Sequence, residues 1–506
     1  MRTKKALYNI VSQMTYEIVA MICGLILPRF ILAGFGSSYN GMVSSITQFL
    51  DYISFLTLGI AGSTRVALYK ARAKNDIIAI SAVVKANERY MRRVAIAFIA
   101  YVGILTVVYP YIVRNDFRWA ESASLVVIIG LGTFAEYFFG ITYSTFLAAS
   151  QSVYIYNIIQ IFSKIANTIV SVVLIKAGYS IQIVKLGSAI CFVVSPIILH
   201  YLVRKKYGLR SDVEPDKDAL KQRGDVMAHS IANIIHQYTD VFLLTLFTSP
   251  AVVSVYSVYV LVLGSLRKLQ NVFTNGLEGA FGDLWAKGET ERFKKNFDTF
   301  EYLIFGFVSV VFSCAGLLII PFVSLYTDGI NDIEYIIPSF AILSVTSYAM
   351  NCLRMPYIIA VQAAGRYKET KIGAFVEAGL NFGISIICVF KFGLIGVTIG
   401  TVVATTFRTV QYSLYLSNKM LNRSYWLVIK KFLWLSLNVS LVITIHQILQ
   451  IKPISGWVDW IVNGMLWFTI ALAVTVGSSF VLYRSDLKES LVIIRKMFMR
   501  KTGGKK

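Results

Sequence analysis

The chain has 506 residues, of which 56% are apolar and only 15% are charged. A soluble protein of this size carries about a quarter charged residues, so the composition excludes one large soluble enzyme. The net charge of +22 would suggest a nucleic-acid partner in a soluble protein; in a membrane protein it would set the orientation of the chain.

Long apolar runs predict fourteen transmembrane helices. A helix needs roughly 20 mainly apolar residues to cross a bilayer, and helices satisfy their own backbone groups in hydrocarbon. In chain order the predicted spans are 6–33, 37–64, 88–110, 122–149, 154–176, 181–203, 224–247, 252–281, 296–320, 335–363, 370–390, 394–417, 424–449 and 457–483. The sequence therefore predicts an all-α polytopic membrane protein with about 14 transmembrane helices.

The cations alternate from loop to loop along these spans. Of the 49 Lys and Arg residues, 37 fall in the termini and in the loops on the same side, five fall in the opposite loops, and seven lie inside spans. Loops rich in Lys and Arg stay in the cytoplasm. The pattern predicts that both termini are cytoplasmic, and it assigns most of the net charge to orientation, which removes the argument for a nucleic-acid partner.

Two parts of the chain resemble each other at a spacing of 217 residues. Tyr39 corresponds to Tyr256, and Gly59 corresponds to Gly276. Internal repeats of this kind are typical of transporters, and they predict two pseudo-symmetric six-helix lobes. The predicted segments are an N-terminal lobe at 1–203, a charged cytoplasmic linker at 204–225, a C-terminal lobe at 226–417, two extra transmembrane helices at 418–483 and a basic amphipathic tail at 484–506. The tail either lies on the anionic inner leaflet or is simply solvated.

Charged residues inside the spans are the candidate functional residues. A charge at the bilayer centre costs about 2.5–3.5 kcal/mol even on lenient scales, so each must line a wet cavity, pair with an opposite charge or snorkel. The in-span cations are Arg29, Lys164, Lys185, Arg267, Lys268, Arg354 and Arg408, and the in-span carboxylates are Glu17, Asp51, Glu136, Asp240, Glu278 and Glu377. Lys185 lies close enough to the outer surface to snorkel.

The other six cations predict a cationic cavity: Arg29, Lys164, Arg267, Lys268, Arg354 and Arg408. Guanidinium groups bind phosphate oxygens in a fork, and tyrosines near these cations suit a sugar, so the predicted ligand is an anionic, sugar-bearing solute. For each cation, an interhelical salt bridge remains the structural alternative. The repeat also places Asp51 and Lys268 at equivalent positions, which predicts that they face each other.

No chemical motif points to an enzyme. The sequence has no phosphate-binding GxxxxGK[ST] loop and no set of residues with metal-ligand spacing, and we identify no catalytic residue. We therefore expect a transporter without a bound cofactor. An integral-membrane glycan polymerase would usually carry a large external loop, whereas the longest outer loop here is roughly 110–121.

The stretch YNGMVSSITQFLDYISFLTLGIAGSTRVALYKARAKND at 39–76 and the turn AAGRYKET at 363–370 resemble the Wzx-type polysaccharide flippases. These belong to the multidrug/oligosaccharidyl-lipid/polysaccharide (MOP) exporter superfamily, and the resemblance extends over essentially the whole chain. It implies a V-shaped pair of six-helix lobes that works by alternating access. The implied cargo is an undecaprenyl-pyrophosphate-linked oligosaccharide for cell-surface polysaccharide, moved across the bacterial plasma membrane.

The resemblance also implies roles for particular residues. Arg29 matches the position of an arginine near the outer end of span 1 in the related lipid II flippases. An ion-coupled cycle is implied, in which Glu17, Asp51 or Asp240 would bind a proton or a sodium ion. The implied partners are the lipid-linked oligosaccharide, membrane lipids and the polysaccharide polymerase or assembly proteins.

A MATE-type, cation-coupled multidrug exporter of the same superfamily is the alternative. Such an exporter would favour an acidic cavity and usually has twelve spans, whereas the deep charges of this chain are mostly basic and two further helices follow the repeat.

The loop charges generate a direct test of orientation. A reporter domain fused after Lys506 should be active only in the cytoplasm, because the basic loops and both termini share one side of the membrane. Activity of a periplasm-specific reporter at the same position would overturn the predicted topology.

Overall fold

The computed structural model describes residues 2–74, 76–216, 237–274, 277–450 and 453–492. Within these ranges the regular structure is helical, without a strand, so the predicted all-α class is confirmed. The predicted linker and basic tail extend into residues outside the described ranges, and those two predictions stay open.

The chain divides into two compact units. The first comprises Met1–Ser257 with Gly329–Glu334, and the second comprises Val258–Asp328 with Tyr335–Lys506. Helices of the first unit are α1 (Arg2–Phe35), α2 (Ser37–Asp51), α3 (Ile60–Ala73), α4 (Ile77–Ile112), α5 (Trp119–Ala135), α6 (Ile141–Ala149), α7 (Val153–Lys176), α8 (Ile181–Tyr207), α9 (237–247) and the start of α10 (Pro250–Thr274). The second unit holds the rest of α10, α11 (Leu277–Ala286), α12 (Thr290–Tyr326), α13 (Pro338–Ala363), α14 (Tyr367–Tyr415), α15 (Trp426–Leu449) and α16 (Trp457–Leu482).

The described helices cover most of the predicted membrane spans, whereas the first part of the predicted span 224–247 lies outside the described ranges. Ten are long and apolar enough to cross a membrane, or eleven if the bent pair Ser37–Thr57 and Ile60–Ala73 counts as one span. Helix α14 has 49 residues, roughly 74 Å at 1.5 Å per residue, which is far longer than a bilayer core of about 30 Å. It therefore supplies two of the predicted spans rather than one.

Helix α14 reverses direction at Gly393. The backbone of Gly393 has φ 52° and ψ −123°, in a region that favours glycine. Beyond the turn, the Ser385 hydroxyl donates to the carbonyl of Val397 at 3.0 Å, and the Asn381 amide donates to the hydroxyl of Thr401 at 2.9 Å. These contacts hold the two halves side by side, as the predicted spans 370–390 and 394–417 require.

The last two helices pack on α12 through polar contacts. The Trp434 indole donates to Ser478 at 2.8 Å, and Ser478 donates to the side-chain oxygen of Asn438 at 2.7 Å, which joins α15 to α16. Ser309 of α12 and Thr475 of α16 share a hydrogen bond of 3.0 Å. The extra helices are therefore an integral part of the second unit.

A buried ionic cluster anchors α15 at its beginning. The carboxylate of Glu301 on α12 is fully buried, and it accepts hydrogen bonds from Arg423 at 2.7 Å, Lys431 at 2.5 Å and the Tyr357 hydroxyl at 2.6 Å. Arg423 also pairs with Asp298. The sequence analysis counted Arg423 and Lys431 among the loop cations that set orientation. That interpretation is incomplete, because both side chains are buried against acidic partners.

The second predicted span, 37–64, is not one continuous helix. A 3-10 turn at Tyr52–Thr57 follows α2, and Gly59, with φ 76°, starts α3 at an angle of 44°. A broken helix frees backbone carbonyls, which need other donors in a membrane. Two tyrosines of α4 supply them: Tyr101 donates to the carbonyl of Phe49 at 2.7 Å, and Tyr90 donates to the carbonyl of Leu56 at 2.8 Å.

The first half of α2 packs tightly on α9 and on the start of α10. Asn40 donates to Ser254 at 2.7 Å, and Ser45 shares a hydrogen bond of 2.7 Å with Thr245. Between them, a Cβ atom at Gly41 would lie 1.6 Å from the backbone oxygen of Pro250. Only glycine allows this approach of two backbones, as in other small-residue helix contacts within membranes.

This contact predicts opposite effects for two glycine substitutions. Gly41→Ala should lower the melting temperature of the purified protein by several degrees, because α2 must move away from Pro250. Gly62→Ala is the matched control: Gly62 lies in α3, nothing lies within 4 Å of a Cβ atom there, and alanine favours the helix by about 1 kcal/mol. Equal melting temperatures for the two variants would contradict the packing described.

Candidate functional site

The first unit contains a cavity of about 560 Å³ with both polar and apolar lining residues. Its walls come from α1, α2, α5, α7, α8 and the π-helical turn Glu136–Gly140 between α5 and α6. The lining includes charged, amide, hydroxyl and aromatic side chains, among them Tyr16, Thr47, Asp51, Thr133, Glu136, Tyr137, Tyr156, Gln160, Lys164, Asn167, Lys185, Ser188, Phe192 and Ser195. A cavity of this volume lies in the range of small-molecule sites, about 300–1,000 Å³.

Four charged side chains line this cavity, and their formal charges cancel. They are two carboxylates, Asp51 and Glu136, and two ammonium groups, Lys164 and Lys185. Lys185 is only 9% exposed, so the sequence-based interpretation that it snorkels to the outer surface is wrong. Its side chain turns into the unit, where the cavity supplies the polar surroundings that its charge needs.

Glu136 is held by an unusual local structure. It begins the π-helical turn that ends at Gly140, and its carboxylate folds over that glycine: a Cβ atom at Gly140 would lie 2.5 Å from a carboxylate oxygen. The Tyr156 hydroxyl on α7 interacts with Glu136 and with Gln160. Single-turn π-helices inside longer helices occur frequently at functional sites, and here the turn aims a carboxylate into the cavity.

Lys164 faces the same cavity from the middle of α7. Its ammonium group lies 5.1 Å from the centre of the Phe192 ring on α8, a cation–π contact. The neighbouring hydroxyl of Ser163 donates to the carbonyl of Cys191 at 3.2 Å, which ties α7 to α8. Lys164 is therefore a predicted site residue that the structure places in the cavity.

The other predicted residues of the first unit lie outside this lining. Arg29 follows Pro28 in α1 and is half-buried. Glu17 accepts a hydrogen bond from Gln13 at 2.9 Å, and Asp240, which is buried, accepts one from Tyr256 at 3.0 Å. Of the three carboxylates predicted to couple an ion, Asp51 is therefore the one that lines the cavity.

In the second unit, Arg354 and Arg408 share one carboxylate. Arg354 on α13 forms a buried ion pair with Glu377 in the first half of α14, and Arg408 in the second half of α14 lies 3.4 Å from the other Glu377 oxygen. The side chains are 7%, 3% and 10% exposed for Arg354, Arg408 and Glu377. The interhelical salt bridge, which the sequence analysis kept as the alternative, describes both arginines in this structure.

Further hydrogen bonds complete the surroundings of the two arginines. Arg354 donates to Asn351 at 3.0 Å. Arg408 donates to the carbonyl of Thr370 at 2.9 Å and to the Tyr412 hydroxyl at 3.0 Å. This cluster of two guanidinium groups and one carboxylate has a net formal charge of +1. The neutral acceptors around it stabilise this charge through hydrogen bonds.

Arg267 and Lys268 point in different directions from α10. Arg267 lies over the Tyr348 ring, 5.8 Å from its centre, and Lys268 is exposed. Adjacent residues of a helix point about 100° apart, which accounts for the difference. Asp51 and Lys268 belong to different units, so their predicted juxtaposition stays a prediction.

Sequence reasoning missed two charged members of the cavity, Glu136 and Lys185. Both were recognisable as charges inside spans, but their convergence depends on the π-helical turn and on the pairing of α7 with α8.

Over the described ranges, no group of three or more His, Cys, Asp and Glu residues is placed to hold a metal ion.

The fold is similar to that of solved membrane transporters. "Lipid II flippase MurJ, inward closed conformation" matches with a TM-score of 0.70 at 15% identity, covering 94% of this chain and 99% of that one. An inward-facing multidrug resistance MATE family transporter of the MOP superfamily matches with a TM-score of 0.56 at 13% identity, covering 82% and 98%. A eukaryotic MATE transporter gives 0.54 at 16% identity, covering 82% and 95%.

At these identities the similarity establishes the fold alone. No protein-family model and no curated protein matches the sequence. The fold of this chain thus resembles that of these solved proteins, and its all-helical architecture agrees with the fold class predicted from the sequence.

The carboxylate that Arg354 and Arg408 share predicts that a second substitution will restore part of the stability that a first substitution removes. Glu377→Gln should destabilise the protein by about 3 kcal/mol, because two buried guanidinium groups lose their counter-charge. Adding Arg408→Gln should restore part of that stability, since the like-charge repulsion disappears. Thermal unfolding of the purified variants measures both effects.

An exposed pair provides the control for that comparison. Glu369→Gln breaks the Arg366–Glu369 pair, whose side chains are 47% and 38% exposed, and it should cost less than about 1 kcal/mol. A double variant less stable than Glu377→Gln alone would contradict the described ion pairing.

Proposed function

We propose that this chain is a flippase that moves an undecaprenyl-pyrophosphate-linked oligosaccharide from the inner to the outer leaflet of the bacterial plasma membrane, for cell-surface polysaccharide synthesis. One observation carries the proposal: the similarity to the lipid II flippase MurJ extends over 94% of this chain and 99% of that protein. The two MATE structures each cover 82% of this chain.

The second unit adds support that does not rest on the comparison alone. Helix α15 is bound to α12 through the buried carboxylate of Glu301, and α16 is bound to α12 through the hydrogen bond between Ser309 and Thr475. These are the two helices by which the sequence exceeds the usual twelve spans of a MATE exporter. Their integration into the unit favours a flippase over that alternative.

The charges of the first unit suit a pyrophosphate-bearing lipid. Arg29 on α1 lies outside the cavity whose charges cancel, and guanidinium groups are usual partners of phosphate oxygens. We assign binding of the coupling ion, a proton or sodium ion, to Asp51, because it is the predicted coupling carboxylate that lines the cavity.

One observation favours the exporter instead. The cavity also holds two carboxylates, Asp51 and Glu136, and these would attract a cationic drug. A flippase and a drug exporter differ in what accumulates when the gene is deleted. Only the loss of a flippase leaves a lipid-linked oligosaccharide on the inner leaflet.

Deletion of the gene should therefore cause accumulation of a lipid-linked oligosaccharide and loss of surface polysaccharide. The wild-type gene should restore both, whereas Arg29→Ala and Lys164→Met should restore less than about a tenth of the polysaccharide at equal membrane expression. Extraction of lipid-linked sugars and mass spectrometry measure the result.

Arg114→Ala is the control for this experiment, since Arg114 is exposed in the segment between α4 and α5; it should complement fully. Normal surface polysaccharide in the deletion strain, with sensitivity to cationic drugs as its main defect, would refute the flippase and favour the exporter.

A further inference from the structure

The cavity of the first unit has a lining that pyrophosphate binding does not explain. The formal charges of Asp51, Glu136, Lys164 and Lys185 cancel, so the cavity as a whole offers no excess of positive charge to a strongly anionic group. Its ligand should therefore be nearly neutral as a whole and rich in hydrogen-bonding groups.

Aromatic rings enter this cavity from four different elements. They are Tyr16 of α1, Tyr137 of the π-helical turn, Tyr156 of α7 and Phe192 of α8. Aromatic rings placed beside polar groups are suited to a ligand that has both apolar faces and polar edges. A pyranose ring has this character, because its C–H groups form the faces and its hydroxyls form the rim.

Hydrogen-bonding side chains surround the same space. Gln160 and Asn167 of α7 are buried amides that line it, and Thr47, Thr133, Ser188 and Ser195 add hydroxyls. Buried amides and carboxylates can each accept and orient the hydroxyls of a polyol. A hydrocarbon chain or a bulky drug cation would offer few hydrogen bonds to these groups, and each group left without a partner would cost roughly 1–3 kcal/mol.

Glu136 is the best-defined acceptor among them. The π-helical turn and Gly140 fix its carboxylate on the wall, Tyr156 lies next to it, and Gln160 contacts Tyr156 in turn. A carboxylate has two oxygens, so it can accept hydrogen bonds from two neighbouring hydroxyls of a sugar at once. This places the most directional contact of the cavity beside the ring of Tyr156.

We propose that this cavity is a carbohydrate-binding subsite, in which Glu136, Gln160 and the surrounding aromatic rings hold sugar residues of the transported glycan. The inference rests on the proposed function and deepens it, because it assigns the sugar part of the cargo to the interior of the first unit. Glu136 is the residue on which the affinity for sugar depends most.

The test measures binding of a lipid-free glycan to the purified full-length protein in nanodiscs. The probe is the repeat-unit oligosaccharide released by mild acid from the host's own surface polysaccharide, and calorimetry or saturation-transfer NMR follows its binding. Glu136→Gln and Gly140→Ala should weaken binding about 10-fold to 100-fold, the effect of losing a hydrogen bond to a charged group. Gly140→Ala acts by displacing the carboxylate.

Matched controls separate this effect from general damage. Glu121→Gln changes a carboxylate that caps the start of α5, and Gly103→Ala adds a methyl group to α4 where nothing lies within 4 Å. Both should bind the oligosaccharide like the wild type. Melting temperatures of all four variants establish that each is folded.

Three outcomes would overturn the subsite: no saturable binding of the oligosaccharide by the wild type, equal binding by Glu136→Gln and the wild type, or loss of drug-cation binding alone in the variants. The deletion strain distinguishes this failure from failure of the proposed function. If that strain accumulates lipid-linked oligosaccharide, the flippase stands and only the subsite is lost. If it does not, the flippase itself is refuted.

Discussion

The structure depends on one constraint, which is that charges and backbone groups placed within hydrocarbon must find partners inside the protein. The second unit meets this constraint by direct pairing. Glu377 pairs with Arg354 and Arg408, each from a different span, and Glu301 binds Arg423, Lys431 and Tyr357. Buried pairs of this kind contribute little net stability but are costly to break, so they fix which helices must stay together.

The first unit meets the same constraint in another way. Its carboxylates and ammonium groups line a cavity together with amides and hydroxyls. These polar surroundings, rather than direct ion pairs, stabilise the charges of the cavity. The broken second span follows the same rule, because Tyr90 and Tyr101 satisfy backbone carbonyls at the break. One unit is thus held by internal pairing, and the other keeps a space that a polar ligand can enter.

Apolar length and loop charge were sufficient to predict the helical fold, including the reversal of α14 near Gly393. They predicted neither the break after Asp51 nor the burial of Lys185, because both depend on side chains from other helices. The charges of Arg354 and Arg408 were found from the sequence, but their shared partner Glu377 was not identified as such. Pairing depends on which helix faces meet, and hydropathy carries no information about that.

Direct measurement of translocation tests the central claim that this fold moves a glycan-bearing lipid. The purified chain would be reconstituted into vesicles that carry a polyprenyl-pyrophosphate-linked oligosaccharide, and a lectin that cannot cross the bilayer would report the glycan on the outer leaflet. We predict that the glycan becomes accessible many-fold faster than in protein-free vesicles, and that Lys164→Met removes most of the gain. Unchanged glycan accessibility, in vesicles where the same protein moves a cationic drug down an ion gradient, would contradict the account.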